Sequence, residues 1–276
     1  MIPASFEYLR VGSVEEAVAA LAEHGEDAKV LAGGHSLLPL MKLRLATPSL
    51  LVDVARIDGL SSVSVAGGHL AIGALTRHAA LERSTSVRQH APILSRAASQ
   101  VGDPQVRHRG TIGGSVAHGD PASDLPAALL ALGATFVAQG PAGTREIPAD
   151  DFFVGFLETD LRPDEMLTEI RVPVQGSAGW SFQKFNRRAQ DWAIVGCAVV
   201  RGDTDRVALV NMAPTVLRAR AVEDALAAGA SAVDAARLAA EGADPPSDLG
   251  AGADYRSHLA RVLVGRALDE AATTRS

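Results

Sequence analysis

Two short stretches of this 276-residue chain set adjacent glycines before a serine: Ala32-Gly33-Gly34-His35-Ser36 and Gly110-Thr111-Ile112-Gly113-Gly114-Ser115. Paired glycines remove two β-carbons and permit positive φ, so backbone N–H groups can converge on an anion such as a phosphate. Neither stretch has the GxGxxG spacing of a dinucleotide-binding turn or the lysine of a P-loop. One Gly-Gly pair alone is more often a tight turn; two, each followed by a serine, raise the weight of a shared anion. After the second pair runs a polar segment, His118 to Asp124. From spacing alone its Asp120 and Asp124 read as turn and cap residues, with general base or metal ligand as the rarer roles. A third stretch, Lys184 to Ala193, places Trp192 near a lysine and an acid. That trio suits a planar ring, although core packing is the commoner fate of a lone aromatic. His35 and His118 stand too far from other ligands for a zinc site. No Ser/His/Asp grouping has elbow chemistry.

Composition narrows the classes. Hydrophobic residues make up 47% and charged residues 21%, the balance of a soluble globular protein. The net charge of −6 and the lack of a basic block argue against nucleic acid. No apolar run approaches a membrane span, and the start MIPASFEYLR has no signal-peptide pattern. The single Cys197 excludes an internal disulfide, a cysteine zinc site and an iron–sulfur cluster held by this chain alone. A reducing cytoplasm is compatible with that.

The elements that must position these residues fall into three groups. Ser13 to His24 predicts a helix with a Ser13/Glu16 capping box and Gly25 just past its end. A strand at Lys29 to Ala32 runs into the first Gly-Gly stretch, and Leu50 to Val54 predicts a buried strand, so the first ~55 residues form a small α/β unit. Next come a hairpin across Gly67-Gly68, helices at Arg77 to Glu82 and Pro92 to Gln100, and a turn at Asp103-Pro104. The second Gly-Gly stretch reads as a loop. After it a helix capped by Ser123 or Asp124 runs to Gly133, followed by a hairpin across Gly140 to Gly143 and a strand at Met166 to Val172. Pro173 to Ser177 reads as a linker. Beyond it three strands (Trp180 to Phe185, Ala193 to Arg201, Val207 to Met212) predict an antiparallel meander. Alanine-rich helices at Arg218 to Ala228, Val233 to Ala240 and Tyr255 to Ala272 complete the chain.

Taken in order, these motifs resemble the FAD-binding medium subunits of the molybdenum hydroxylases, the aerobic carbon monoxide dehydrogenases above all. The likeness covers nearly the whole chain. It runs from Pro3-Ala4-Ser5-Phe6-Glu7-Tyr8 through Ala32 to Leu37, Met41-Lys42-Leu43-Arg44 and Ile72-Gly73-Ala74-Leu75-Thr76. It continues through Gly102-Asp103-Pro104-Gln105-Val106-Arg107 and Gly110 to Ser115, and ends at Tyr255-Arg256 and Arg266-Ala267-Leu268.

The resemblance implies an α+β fold: a two-subdomain FAD-binding unit of the vanillyl-alcohol oxidase type (1–57 and 58–175) plus a C-terminal domain (178–276) with a three-stranded antiparallel sheet and helices. It implies that Ala32, Gly33, Gly34, His35 and Ser36, with Thr111, Ile112, Gly113, Gly114 and Ser115, supply the phosphate contacts of FAD, largely through backbone N–H groups, and that Leu37 belongs to the same cofactor-binding stretch. Asp124 is expected at the ribityl chain, Lys184 at the flavin pyrimidine edge and Trp192 beside the ring. The family often has asparagine at the place of Ser115 and tyrosine at that of Trp192. The implied partners are a molybdenum-cofactor large subunit and a [2Fe–2S] small subunit in a dimer of heterotrimers. Electrons would pass from the clusters through FAD to a quinone or other acceptor, in the cytoplasm or at the inner face of its membrane. Three readings follow: a subunit of a carbon monoxide dehydrogenase, a subunit of a sister enzyme acting on an aldehyde, purine or N-heterocycle, or a flavin-free structural protein that keeps the fold.

Overall fold

A computed structural model describes residues 2–274. Met1, where the signal-peptide reading begins, and Arg275 and Ser276, at the end of the expected C-terminal unit, lie outside the described residues.

The first sheet comprises β1 (Glu7–Arg10), β2 (Ala28–Leu31) and β3 (Leu50–Asp53), all parallel, in the order β1-β3-β2. Parallel pairing requires crossovers, and helix α1 (Val14–His24) supplies one, packing Ala17, Val18 and Leu21 into a core with Leu50 and Val52. Ser13 Oγ accepts from the Glu16 N–H at 3.2 Å. The Glu16 carboxylate reaches back to the N–H of Gly12, at 2.7 Å, one residue beyond the usual capping box. Strand β2 ends at Leu31 and delivers the chain to Gly33-Gly34 at its carboxyl end, from which the short helix α2 (Leu37–Lys42) departs.

The second sheet is antiparallel, ordered β4-β5-β10-β6-β7. Its hairpins are β4 (Val63–Ala66) with β5 (His69–Gly73) and β6 (Thr135–Gly140) with β7 (Gly143–Pro148); the late strand β10 (Met166–Pro173) joins them. Between the hairpins lie α3 (His78–Arg83), α4 (Thr85–His90), α5 (Pro92–Ser99), α6 (Pro104–Arg109), α7 (Ile112–His118) and α8 (Asp124–Leu132). Two expectations are corrected here. Asp103-Pro104 starts helix α6 rather than a turn, because the Asp103 carboxylate accepts from Val106 N at 2.8 Å and Pro104 needs no N–H in the first turn. Gly113-Gly114 lies in the first turn of helix α7 rather than in a loop, with Thr111 as its N-cap. Of the four paired glycines only Gly34 uses positive φ, at 75°. A short helix α9 (Ala149–Phe152) and a two-stranded ribbon, β8 (Phe153–Gly155) with β9 (Glu158–Thr159), follow β7.

The third sheet has the expected antiparallel meander, β11 (Gly179–Phe185), β12 (Val195–Arg201) and β13 (Asp205–Val210), with a two-residue fourth strand β14 (Leu217–Arg218) at its edge. Side chains alternate across β12. Ala198 and Val200 join the core of the second sheet, while Cys197 and Val199 face α10 (Arg220–Ala227), α11 (Ala232–Ala236) and α12 (Ala253–Thr273). Both faces are therefore covered, and burial pushes the Cys197 thiol up to about 12, which keeps it unreactive. Helix α8 is buried along its whole length between the second and third sheets. Ion pairs reinforce that seam: Asp150 accepts from Arg206 at 2.6 Å and from Arg218 and Arg220, each at 2.9 Å.

Candidate functional site

The two Gly-Gly stretches meet backbone to backbone. A β-carbon on Gly33 would lie 2.4 Å from the Arg109 carbonyl oxygen and 2.9 Å from Gly110 Cα. They have different remaining capacities. In the first, the backbone N–H groups of Gly33, Gly34, His35, Ser36 and Leu37 donate to no protein acceptor among the described residues. This is an open run of donors. In the second, Ile112 N–H donates to Thr76 O at 3.0 Å and Gly113 N–H to Ala74 O at 2.8 Å. Gly114 N–H donates to Thr111 Oγ1 at 3.2 Å, and Ser115 N–H to Thr111 O at 3.0 Å. The expected phosphate role for backbone donors here thus narrows, because helix capping and the α7–β5 junction consume them. The Ser115 hydroxyl stays unpaired among the described residues.

The two glycines of the second stretch also divide their work. A β-carbon on Gly113 would strike Ala74 at 2.5 Å, so this glycine is needed for packing. Gly114 is exposed toward the cavity, where an added β-carbon would meet only its own cap, Thr111 Oγ1 at 2.8 Å, and Ala32 at 4.0 Å. Ile112 points the other way and is fully buried in the core.

These stretches floor a cavity of about 980 Å³ at the junction of the three sheets. Ala32 to Leu37, Thr111, Gly113, Gly114, Ser115, Asp124, Lys184 and Trp192 all line it; Ile112 does not. Opposite the glycines sits a buried ion pair. Lys184 Nζ lies 2.7 Å from Asp124 Oδ2, with side chains 3% and 5% exposed, and also donates to the Gln100 carbonyl at 3.0 Å. Neither Ser123 nor Asp124 caps α8 through its side chain, contrary to expectation: the Asp124 carboxylate turns to Lys184 instead. Its second oxygen, Oδ1, is buried without a partner. Burial pushes Asp124 up to about 6, against the pull of the Lys184 ammonium. Trp192 is 58% exposed at the rim, so core packing does not account for it.

Sequence reasoning missed His78. It is buried in the cavity wall with an unpartnered Nδ1, its ring filling the space above Gly110. Burial, then the charges of His35, Arg107 and Arg77, hold its imidazole down at about 4, so it is neutral. The only sequence signal was a polar residue at the head of an apolar helix face. The β8–β9 ribbon, which brings Val154, Leu157 and Glu158 to the rim, gave no signal either.

Free backbone donors, an orphaned carboxylate oxygen and an exposed indole make a site for an elongated ligand with an anionic middle, hydroxyls and a flat ring. Residues 4–175 match the FAD binding domain in molybdopterin dehydrogenase, and residues 180–271 the CO dehydrogenase flavoprotein C-terminal domain. The chain belongs to this FAD-binding subunit family. Within it, the chain is 47% identical to the carbon monoxide dehydrogenase medium chain of Hydrogenophaga pseudoflava, over 98% of each. It is 40% identical to the alpha subunit of the 6-hydroxypseudooxynicotine dehydrogenase complex of Paenarthrobacter nicotinovorans, over 98% of this chain and 96% of that one. The structure superposes on the Hydrogenophaga pseudoflava carbon monoxide dehydrogenase with a TM-score of 0.96, covering 100% of both chains. No helix among the described residues is long and apolar enough to cross a membrane.

Proposed function

We propose that this chain is the FAD-carrying electron-transfer subunit of a molybdenum hydroxylase, and that the residues above hold the flavin. The unpaired donor run from Gly33 to Leu37 carries this reading, since five N–H groups on residues that line one cavity need an anion or water to satisfy them. When bound, FAD takes up and releases electrons one or two at a time. The protein's part is to bind and orient. Gly33 to Leu37 take the pyrophosphate, with the Ser36 and Ser115 hydroxyls as further donors. Gly114 keeps β-carbons out of the cavity, while Ile112 and Gly113 support the cradle by packing. Asp124 Oδ1 accepts from a ribityl hydroxyl, and the third N–H of Lys184 stays available for a carbonyl at the ring's polar edge. Trp192 flanks the ring. No side chain here is required to move a proton, because the substrate is oxidised in another subunit. We take 1–57, 58–175 and 178–276 as the units that assemble around the cofactor.

In this reading the partners are a molybdenum-cofactor large subunit and a [2Fe–2S] small subunit, paired as a dimer of heterotrimers. The complex is cytoplasmic, at most peripheral to the membrane, and reduces a quinone or similar acceptor. Carbon monoxide is the first choice of substrate, on the higher identity of the carbon monoxide dehydrogenase relative. An N-heterocyclic or aldehyde substrate is the second, because the alkaloid-dehydrogenase relative also spans the full length at 40%. The full-length chain incubated with FAD and desalted should show oxidised-flavin absorption bands; a colourless protein would reject the FAD reading. In the intact complex without oxygen, bleaching of those bands by carbon monoxide supports the first choice. Bleaching only by an aldehyde or N-heterocycle supports the second.

A further inference from the structure

We propose that Asn211 and Arg256 are positioning residues that set the Trp192 loop relative to Asp124, an inference that rests on the flavin reading above. The loop leaves β11 after Phe185 and rejoins the sheet at β12. Lys184 and Trp192 therefore stand near its two ends, and Ile194 N–H closes it on Phe185 O at 2.8 Å. Past the end of the β12 ladder, Ala193 and Ile194 are buried, at 2% and 8% exposure, and their carbonyls have no strand partner there. Buried carbonyls require donors.

Two residues distant in sequence supply them. Asn211 Nδ2 donates to Ala193 O at 2.9 Å and to Ile194 O at 3.4 Å. The Arg256 guanidinium donates to Ile194 O through Nη1 and to Asp248 through Nη2, the latter at 2.7 Å. Arg256 is 1% exposed and its Nε has no partner. A charge held so deep is costly unless well paired, so its place is determined closely by these two contacts.

Asn211 does a second thing. It has φ of 61°, a left-handed conformation that asparagine tolerates better than most residues. In that conformation its own N–H donates to Pro121 O at 2.8 Å. Pro121 lies in the segment that leads to Asp124. One residue thus grips both the base of the Trp192 loop and the approach to Asp124, and Arg256 braces the same carbonyl from α12. Neither side chain lines the cavity; both act on it through Trp192 and Asp124.

The test uses the full-length chain with Trp180→Phe, leaving Trp192 as the sole tryptophan. Bound FAD should quench Trp192 emission. Asn211→Asp keeps the shape and the left-handed backbone but turns an oxygen on two carbonyls. The melting temperature should fall, since two buried carbonyls lose their donor, while at saturating FAD the quenched fraction should fall severalfold with FAD affinity nearly unchanged. Arg256→Met should do the same, and Arg256→Lys should restore part of the quenching. If Asn211→Asp does not fold, Asn211→Gly, which keeps the backbone conformation and removes only the amide, is read in the same way. Wild-type quenching in a folded Asn211 variant would overturn the inference. A parent chain that takes up no FAD would overturn the flavin reading itself, and that outcome is visible before any variant is made.

Discussion

Asp124 shows how one carboxylate can be both anchor and ligand. With Oδ2 held by Lys184, Oδ1 is fixed in direction and left open. Its value of about 6, against the ordinary 3.8, means that the fold favours the protonated form. The stability from that preference is complete below 3.8 and is lost as pH rises through about 6, so acid does not unfold the chain through this group. Acid changes the site instead: below about 6 Lys184 loses its anionic partner and the ribityl-facing oxygen weakens as an acceptor. FAD affinity is expected to fall as pH drops through about 6. Asp124→Asn should bind FAD about tenfold more weakly at neutral pH, with no such inflection. Fluorescence titrations across the pH range check both. A wild-type profile in Asp124→Asn would remove Asp124 from the site. Spacing alone favours a cap role for Asp124, because its partner Lys184 is 60 residues away and meets it only in the folded chain.

At the scale of elements, the strongly periodic pieces were legible. Helix α1, the hairpins and the meander follow from apolar spacing and glycine punctuation, and the observed bounds differ by a residue or two. The short helices α2, α4, α6 and α7 were not legible, since six or seven residues hold barely two turns of periodic signal. The second Gly-Gly stretch carries a loop signal in the sequence for a related reason. Glycine is a poor helix former, and tertiary contacts, not propensity, hold α7 in place: only glycine fits at position 113, because Ala74 leaves no room for a β-carbon. The two glycines should therefore separate in mutation. Gly113→Ala should destabilise the whole chain by a few kcal/mol through overpacking, roughly 1–3. Gly114→Val should disturb mainly the Thr111 cap, at about 1 kcal/mol, yet abolish FAD retention by filling the cavity. Thermal melts beside flavin content after desalting distinguish the two. Equal stability losses with FAD retained in Gly114→Val would contradict this division.

On the scale of the whole molecule, the cavity belongs to no single unit. The first sheet provides the donor run, the second the capped helix and Asp124, and the third Lys184 and Trp192. Sequence order hides this convergence, and only the motif order along the full length, matched to a family, could indicate it. The seam that keeps the third unit in place includes Asp150, a single carboxylate serving Arg206, Arg218 and Arg220, with Glu223 sharing Arg218 at 2.6 Å. Burial alone would raise Asp150, but the hydrogen bond from Arg206 and the surrounding guanidinium charges hold it below the usual carboxylate range. Remove that anion and three cations face one another across the seam. The ionic-strength response then reverses: salt weakens an ordinary surface ion pair, but it should partly rescue Asp150→Asn by screening the arginines' mutual repulsion, since the Debye length shrinks to about 3 Å at 1 M. Melts of Asp150→Asn and the parent at low and high sodium chloride should therefore converge as salt rises; a gap that stays constant or widens would show that the arginines do not repel across the seam.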